Sequence, residues 1–352
     1  MSSAPVFVVG TPRSGTTLTA RILGRHPDLF MAGENHFFED VLARARELGD
    51  PAVDPAARDR ISRRLLDVYG RYNQVADQER VEAQFRPGSQ AWATLRKCAS
   101  YGEFLRTFMG LQAEASGCKR WGNNTPKDIF HCHEILRFFP NAVIIVCVRD
   151  IRDFLVSYGL RWSVTSEDHK ERLRRLYHPV LTALLWRSTA QQLSKLRDVV
   201  PEARLCVVRY EDLVHEPEAT VQQICIAAEL TFSPNLLAVE ADNSSLGHGG
   251  AGIFTRSVGS WRDRLPAADA WLAERIAGRN LTALGYERAA PFPGVAALSR
   301  AAATFPGAVL RALHANRAHR GPLLQYLRRR LFAAGMHSQR SNRSKAGEAD
   351  AP

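Results

Sequence analysis

Residues 6–17, VFVVGTPRSGTT, constrain this chain more than any other stretch. An apolar run (Val6, Phe7, Val8, Val9) stops at Gly10, a glycine-containing turn follows, and an amphipathic stretch extends from Leu18 to His26. The pattern predicts buried strand, tight loop and helix. Such a loop turns successive backbone N–H groups toward one point, and the helix N-terminus adds partial positive charge. The segment is built to hold a phosphate.

Its spacing nearly matches the nucleoside-triphosphate loop G-x-x-x-x-G-K-[ST]. Gly10 and Gly15 are in place and Thr17 sits where the hydroxyl residue belongs, but Thr16 stands where the lysine belongs. That lysine reaches the β- and γ-phosphates, so its absence argues against an ATP or GTP enzyme. A cation lies inside the loop instead, Arg13. A ligand with one phosphate here and a transferable anionic group beside Arg13 fits better. An ordinary strand-to-helix turn rich in Gly and Thr has the same local composition, and only the rest of the chain separates the two readings.

The second signature is VIIVCVRDIRDFLVSYGLRW, residues 143–162. Val143 to Val148 is continuously apolar and reads as a strand buried on both faces, as in a parallel sheet. Arg149 ends it, at the edge where open α/β sheets bind ligands. The next segment reads as helix, with Ser157 and Arg161 on one face. Two arginines and a hydroxyl can then converge on a further phosphate. Arg152 and Asp153 read as surface ion pairs on a solvated helix face.

Two phosphate sites on one α/β sheet, without the triphosphate lysine, resemble the sulfotransferase family, whose donor is 3′-phosphoadenosine 5′-phosphosulfate (PAPS). The resemblance implies a P-loop-like three-layer α/β fold, with a central, mainly parallel sheet flanked by helices. It assigns Thr11, Pro12, Arg13, Ser14, Gly15, Thr16 and Thr17 to the 5′-phosphosulfate. It assigns the R-D-x-x-D-x-x-x-S stretch, Arg149 to Ser157, to the 3′-phosphate, with Arg161 on the same helix face. A third match, Arg209-Tyr210-Glu211-Asp212-Leu213 after the strand Leu205 to Val208, brings Tyr210 near the nucleotide. A fourth, Ser257-Val258-Gly259-Ser260-Trp261-Arg262, resembles the late loop that closes over it, with Ser257, Gly259, Ser260 and Trp261 as contacts. The four matches run in family order from about Val6 to Glu287. The chain looks most like the bacterial and tyrosylprotein members.

Sulfuryl transfer resembles phosphoryl transfer, so catalysis is mainly positioning and charge stabilisation. It needs a base for the acceptor hydroxyl, cations for the sulfuryl oxygens and a donor for the leaving oxygen. Glu34, in Gly33-Glu34-Asn35-His36, matches the catalytic Glu of the tyrosylprotein enzymes, with His36 as the rival base. Arg13 is the candidate stabiliser. The family's G-[DN]-K-x-P lysine is missing: this chain reads Gly122-Asn123-Asn124-Thr125-Pro126-Lys127, with Asn124 in its place. Lys127 is the candidate substitute. Lys119 or Arg120 supplying the charge, and a slow or inactive enzyme, are the alternatives. No metal is expected, since Arg and the loop already neutralise the donor. A P-loop kinase and a non-catalytic nucleotide-binding module are the competing readings.

The chain of 352 residues carries a formal charge of +11, which a polyanionic donor partly explains. Much of the remainder lies in Arg311 to Arg343, read first as a solvated helix and tail and second as a weak membrane-surface patch. No nucleic-acid motif accompanies the charge. Six scattered cysteines lack metal-ligand spacing, and Cys147 and Cys206 read as buried thiols, as in a reducing compartment. The first strand begins close to Met1, and no apolar run approaches membrane-spanning length. The expectation is a cytoplasmic protein, and the high Ala and Arg content suggests a bacterial one.

The predicted organisation is a sulfotransferase domain over 1–288 with a helical insertion at about 36–115, broken near Pro51, Pro55 and Pro87. Segment 240–260 reads as a mobile loop and 266–286 as a closing helix. Residues 289–335 read as a helical extension and 336–352 as a disordered basic tail. The acceptor is expected to be a small-molecule, glycan or lipid hydroxyl. Phe37, Phe38, Trp92, Trp162, Tyr177 and Trp186 either line its pocket or belong to the core.

Overall fold

A run of apolar residues with no polar alternation forms a strand only where both of its faces are covered. The first such run becomes strand β1 (Val6–Gly10), every residue of it buried. Four more strands join it in one parallel sheet: β2 (Leu29–Ala32), β3 (Arg120–Asn124), β4 (Val143–Val148) and β5 (Leu205–Arg209). The order is β2-β3-β1-β4-β5. Val8 sits opposite Asn124 on one side, and Gly10 opposite Cys147 on the other. The computed structural model describes residues 4–160, 177–239, 253 and 255–315. It divides into two units, Met1–Arg149 with Leu196–Arg256, and Asp150–Lys195 with Ser257–Pro352.

The alternation along β1 assigns its side chains to two faces. Val6 and Val8 pack with Ile22 and Leu23 of helix α1 (Thr16–Leu23), and in the same cluster lie Val221 and Ile224. Phe7 points the other way, its ring 5.6 Å from Trp121 and 5.8 Å from Phe139. This is the expected mainly parallel α/β arrangement. Strand order reverses at β1, where the chain leaves first toward β2 and later toward β4 and β5. The C-terminal edge beside such a switch point is where ligands of open α/β sheets bind.

The helical insertion after β2 comprises α2 (Ala45–Leu48), α3 (Pro55–Tyr72), α4 (Val75–Gln84), α5 (Gln90–Leu95) and α6 (Tyr101–Ala115). A five-residue π-helix, Phe37–Val41, precedes them. Pro55 does not interrupt a helix but starts one. Its missing N–H costs nothing at the first helical position, and Asp54 caps the turn by accepting from the Ala56 N–H at 2.8 Å. Ser100 and Glu103 cap α6 in the same way, Ser100 accepting from the Glu103 N–H at 3.2 Å and Glu103 from that of Ala99 at 2.7 Å.

Helix α7 (Cys132–Phe138) leads into β4, and α8 (Ile151–Gly159) follows it. Then come α9 (Pro179–Val199), α10 (Tyr210–His215) and α11 (Pro217–Ala227). The single helix expected over 266–286 is two, α13 (Ala267–Ala277) and α14 (Arg279–Ala283), after the short α12 (Trp261–Arg264). Gly278, at φ 60°, breaks the ladder in a conformation that a side chain would resist. Helix α15 (Val295–Ala315) forms the described part of the C-terminal extension. The rest of that extension, the 336–352 tail and residues 240–252 of the expected loop lie outside the described residues.

Candidate active site

The C-terminal edge of the sheet collects the predicted residues of the first unit. The loop 11–17 leaves β1, Glu34 follows β2, Asn124 ends β3, Arg149 follows β4 and Tyr210 follows β5. In the loop, the Ser14 N–H donates to the Thr11 carbonyl at 3.2 Å, which closes a four-residue turn. Pro12 fixes a negative φ at its second position, and Arg13 at the third has φ 69°. That combination is a type II turn, whose third position favours Gly or Asn. A β-carbon-bearing arginine held there stores strain of the kind that clusters at ligand sites.

Gly15 takes φ 90° as the N-cap of α1. A β-carbon on Gly15 would come within 2.9 Å of the Tyr210 ring. Ser14 is 1% exposed, and its Oγ has no hydrogen-bond partner. A buried hydroxyl left unmatched is costly unless a ligand atom meets it. Thr16 is buried and Thr17 half-buried. Arg149 is buried, its guanidinium lying 4.3 Å from the Tyr210 ring centroid and donating from Nη1 to the Arg13 carbonyl at 3.3 Å. The ring face and the carbonyl hold this cation beside the loop.

A second cluster surrounds Glu34. Asn73 Nδ2 donates to the Glu34 carbonyl and to the Tyr69 carbonyl, both at 2.8 Å. Gly33 has no room for a side chain, since a β-carbon would run into the Asn73 amide. Asn35 is fully buried, its N–H donating to Thr125 Oγ1 at 3.1 Å and its Oδ1 accepting from the Phe37 N–H at 3.0 Å. His36 turns back in the left-handed region, φ 43°, and its Nε2 meets Glu34 Oε2 at 2.7 Å. On its other side Nδ1 lies 3.5 Å from Glu39 Oε2, and Lys127 pairs with the same oxygen at 3.1 Å.

These charges alternate, and the titrations follow. Burial pulls the His36 imidazole down, but the hydrogen bond it donates to Glu34 and the contact with Glu39 outweigh it and push it up to about 9. Burial opposes the ionised Glu39, yet His36 and Lys127 hold its carboxyl well below the usual range. That shift favours the imidazolium at neutral pH, which weighs against His36 as the rival base. Lys127 is occupied with Glu39. Asn124 is buried, and its Oδ1 has no hydrogen-bond partner. Arg120 cannot substitute for the missing lysine. It opens β3 at the opposite edge, its guanidinium donating to the carbonyls of Ala4 and Ala228.

The second unit carries the remaining predictions. Arg152 and Asp153 are not surface ion pairs: they are 4% and 1% exposed. Arg152 donates to both oxygens of Asp150, at 2.9 and 2.6 Å, and to Glu274 Oε1 at 2.7 Å, with its guanidinium 4.2 Å from the Trp261 ring centroid. Asp153 accepts from the Gly259 N–H at 2.6 Å, the Ser260 hydroxyl at 3.1 Å and the Trp261 N–H at 2.9 Å. The motif's second aspartate thus fastens the late loop. It commits the Ser260 hydroxyl and cages the Trp261 ring between Arg152 and Arg262. Ser157 is buried on α8, and Ser257 is half-buried. Arg161 lies outside the described residues, as does Trp162.

A sequence profile described as the sulfotransferase family matches residues 5–234. The chain belongs to the sulfotransferase family. Its fold is similar to the sulfotransferase domain from the curacin biosynthetic pathway, at 18% identity and TM-score 0.51 over 82% of this chain and 99% of that domain. It is equally similar to the sulfotransferase domain of the Synechococcus PCC 7002 olefin synthase, at 20% identity and TM-score 0.51 over 81% and 97%. An uncharacterized protein of Aquifex aeolicus is 23% identical over 272 residues, 74% of this chain but only 31% of that protein. The chain thus spans about a third of the curated relative it matches. No helix among the described residues is long and apolar enough to cross a membrane.

One buried acid carries no motif in the sequence. Asp128 is fully buried below the Glu34 cluster and accepts from Asn123 Nδ2 at 2.7 Å. Burial pushes its carboxyl from 3.8 up to about 8. A folded-state value above the unfolded one gives stability that is present at low pH and lost as pH rises. For Asp128 the loss runs from pH 3.8 to about 8, and for His36 from 6.5 to about 9. Both therefore weaken the fold between pH 6.5 and 8, each by up to about 1.4 kcal/mol per pH unit. In urea unfolding, Asp128→Asn is expected to roughly halve that decline; an unchanged pH slope would mean that Asp128 is ionised in the folded chain.

Proposed function

We propose that this sulfotransferase moves the sulfuryl group of PAPS to a hydroxyl acceptor. The observation that carries the donor reading is Ser14, a fully buried hydroxyl with no partner, in a loop whose backbone turns through Arg13 and Gly15 into the N-terminus of α1. That donor set suits a phosphate without a triphosphate tail. Thr16 replaces the lysine that a kinase needs, and its side chain is buried. Ser14 to Thr17 would hold the 5′-phosphate and Arg13 the sulfuryl oxygens. Arg149, by family resemblance, would take the 3′-phosphate.

The reaction is an in-line substitution. The acceptor oxygen bonds to sulfur, the bond from sulfur to the 5′-phosphate oxygen breaks, and 3′,5′-adenosine bisphosphate leaves. Glu34 receives the acceptor's proton. Arg13, with its fixed charge and planar donors, meets the charge spread over the sulfuryl oxygens. The acceptor is a hydroxyl on a carbohydrate, lipid, natural product or phenol. Phe37, Phe38, Trp92 and Trp186 are all buried and belong to the core, so none of them recommends an aromatic acceptor.

A slower enzyme, or one that binds without transferring, is the second reading. It draws on Asn124, which has no charge to give the leaving oxygen, and on Lys127, which is engaged by Glu39. Calorimetry with 3′,5′-adenosine bisphosphate, ADP and ATP tests the donor site. The bisphosphate is expected to bind best, without need of Mg²⁺, and Arg149→Ala to weaken it about ten- to a hundredfold. Preference for ATP with Mg²⁺ would overturn the proposal. Tight bisphosphate binding with no turnover of PAPS against a panel of hydroxyl acceptors would favour the second reading.

A further inference from the structure

We propose that His36 is a positioning residue for the sulfuryl-transfer step, a clamp that presents the Glu34 carboxylate to the acceptor; this rests on the reading of Glu34 as the base. The geometry is that of a fixed side chain bracketed on every side. His36 is 3% exposed, and its ring stacks on Tyr72 with centroids 3.7 Å apart and planes 29° from parallel. Tyr72 is itself tethered, its hydroxyl donating to Asp40 Oδ2 at 3.3 Å. Nε2 holds Glu34 Oε2 at 2.7 Å, and Glu39 stands 3.5 Å behind Nδ1. Glu39 is in turn gripped by Lys127 Nζ at 3.1 and 3.3 Å.

The strained backbone supports the same role. A histidine at φ 43° pays for a conformation that would suit glycine or asparagine better, and the surrounding contacts over-determine it. In exchange, the ring nitrogen doubles back onto a carboxylate only two residues earlier. With Oε2 committed to His36, Oε1 is the oxygen that takes the acceptor's proton. Glu34 is more than one-third exposed where His36 is buried, so the reactive end faces outward while the anchor is inside. A carboxylate swinging on two free torsions would spend little time in line with the acceptor, and a misplacement of about 1 Å costs roughly a hundredfold.

The groups facing the imidazole are Glu34 and Glu39 from its own segment, Lys127 and Asp128 from the turn of helix after β3, and Tyr72 with Asp40 beyond it. Glu34 and Glu39 favour the imidazolium and Lys127 opposes it, with a net value of about 9. The clamp is therefore charged through neutral pH and released only on the alkaline side.

The test is His36→Asn, chosen because asparagine accepts the left-handed backbone. Steady-state transfer should show kcat lowered about ten- to a hundredfold, with KM for PAPS held within about twofold. The wild-type kcat/KM profile should have an alkaline limb near pH 9 that the variant lacks. NMR titration of the His36 ring in the whole chain is independent of turnover. It should give a midpoint near 9 that moves back toward 6.5 in Glu34→Gln. A His36 that titrates near 6.5, or is indifferent to Glu34→Gln, overturns the clamp even where His36→Asn does not fold. Bisphosphate binding and transfer with unaltered kcat in His36→Asn overturn it alone. A wild-type chain that binds no bisphosphate overturns the donor reading beneath it.

Discussion

Arg152→Ala is expected to lose about 3–5 kcal/mol of stability, the cost of leaving buried charge without its partner. Three carboxylate oxygens receive hydrogen bonds from this one guanidinium, two on Asp150 and one on Glu274, and both acids are less than one-tenth exposed. Removing the cation leaves two buried carboxylates. Glu274 retains the N–H groups of Ala289 and Ala290, and Asp150 retains that of Arg152 itself, none of which carries a full charge. The Trp261 ring also loses the plane packed on it. Arg152→Lys should fall between wild type and Ala, since a lysine keeps the charge but cannot fork to two acids. Adding Glu274→Gln to Arg152→Ala should recover part of the loss, because the second uncompensated charge is then gone. Denaturant unfolding of the full chain measures all four proteins. A loss under about 1 kcal/mol for Arg152→Ala would mean a solvated pair.

That solvated pair is what the sequence suggests, and the reason it misleads is instructive. Arg-Asp-Ile-Arg-Asp at the first turn of a helix looks like a row of mutually neutralising charges. Nothing local shows that Glu274 lies 122 residues away with its carboxylate aimed at Arg152, or that Asp153 will serve the N–H groups of Gly259 and Trp261. The strands, by contrast, were legible because burial on both faces forces continuous apolar runs. The phosphate loop was legible because its glycines occupy the positions where φ must be positive. Arg13 and His36 share that backbone region without being glycine, and no propensity announces them. The Glu39–Lys127 pair spans 88 residues and depends on β2 pairing directly with β3, which brings the segments that follow them to one edge. Sequence gives the residue types of the site. Which of them hold one another, rather than ligand, is decided by long-range packing.

Glu34→Gln is the substitution that should separate chemistry from binding. If Glu34 takes the acceptor's proton, losing its basicity should lower kcat about a hundred- to ten-thousandfold. The amide is nearly isosteric and can still accept from His36 Nε2, and the backbone there is pinned by Asn73, so neither the fold nor the cluster needs to rearrange. Affinity for 3′,5′-adenosine bisphosphate should therefore stay within about twofold of wild type, because the donor loop is built from other residues. Arg13→Ala makes the contrast, since a group that meets the sulfuryl oxygens should weaken PAPS turnover more than bisphosphate binding. Acceptors of lower hydroxyl pKa should suffer less from Glu34→Gln, as their protons need less help to leave. A Glu34→Gln enzyme with kcat within about threefold of wild type would remove Glu34 from the proton path. Because the same substitution returns His36 toward 6.5, the neutral imidazole would then be the base this cluster still offers, and Glu34→Gln combined with His36→Asn would test it.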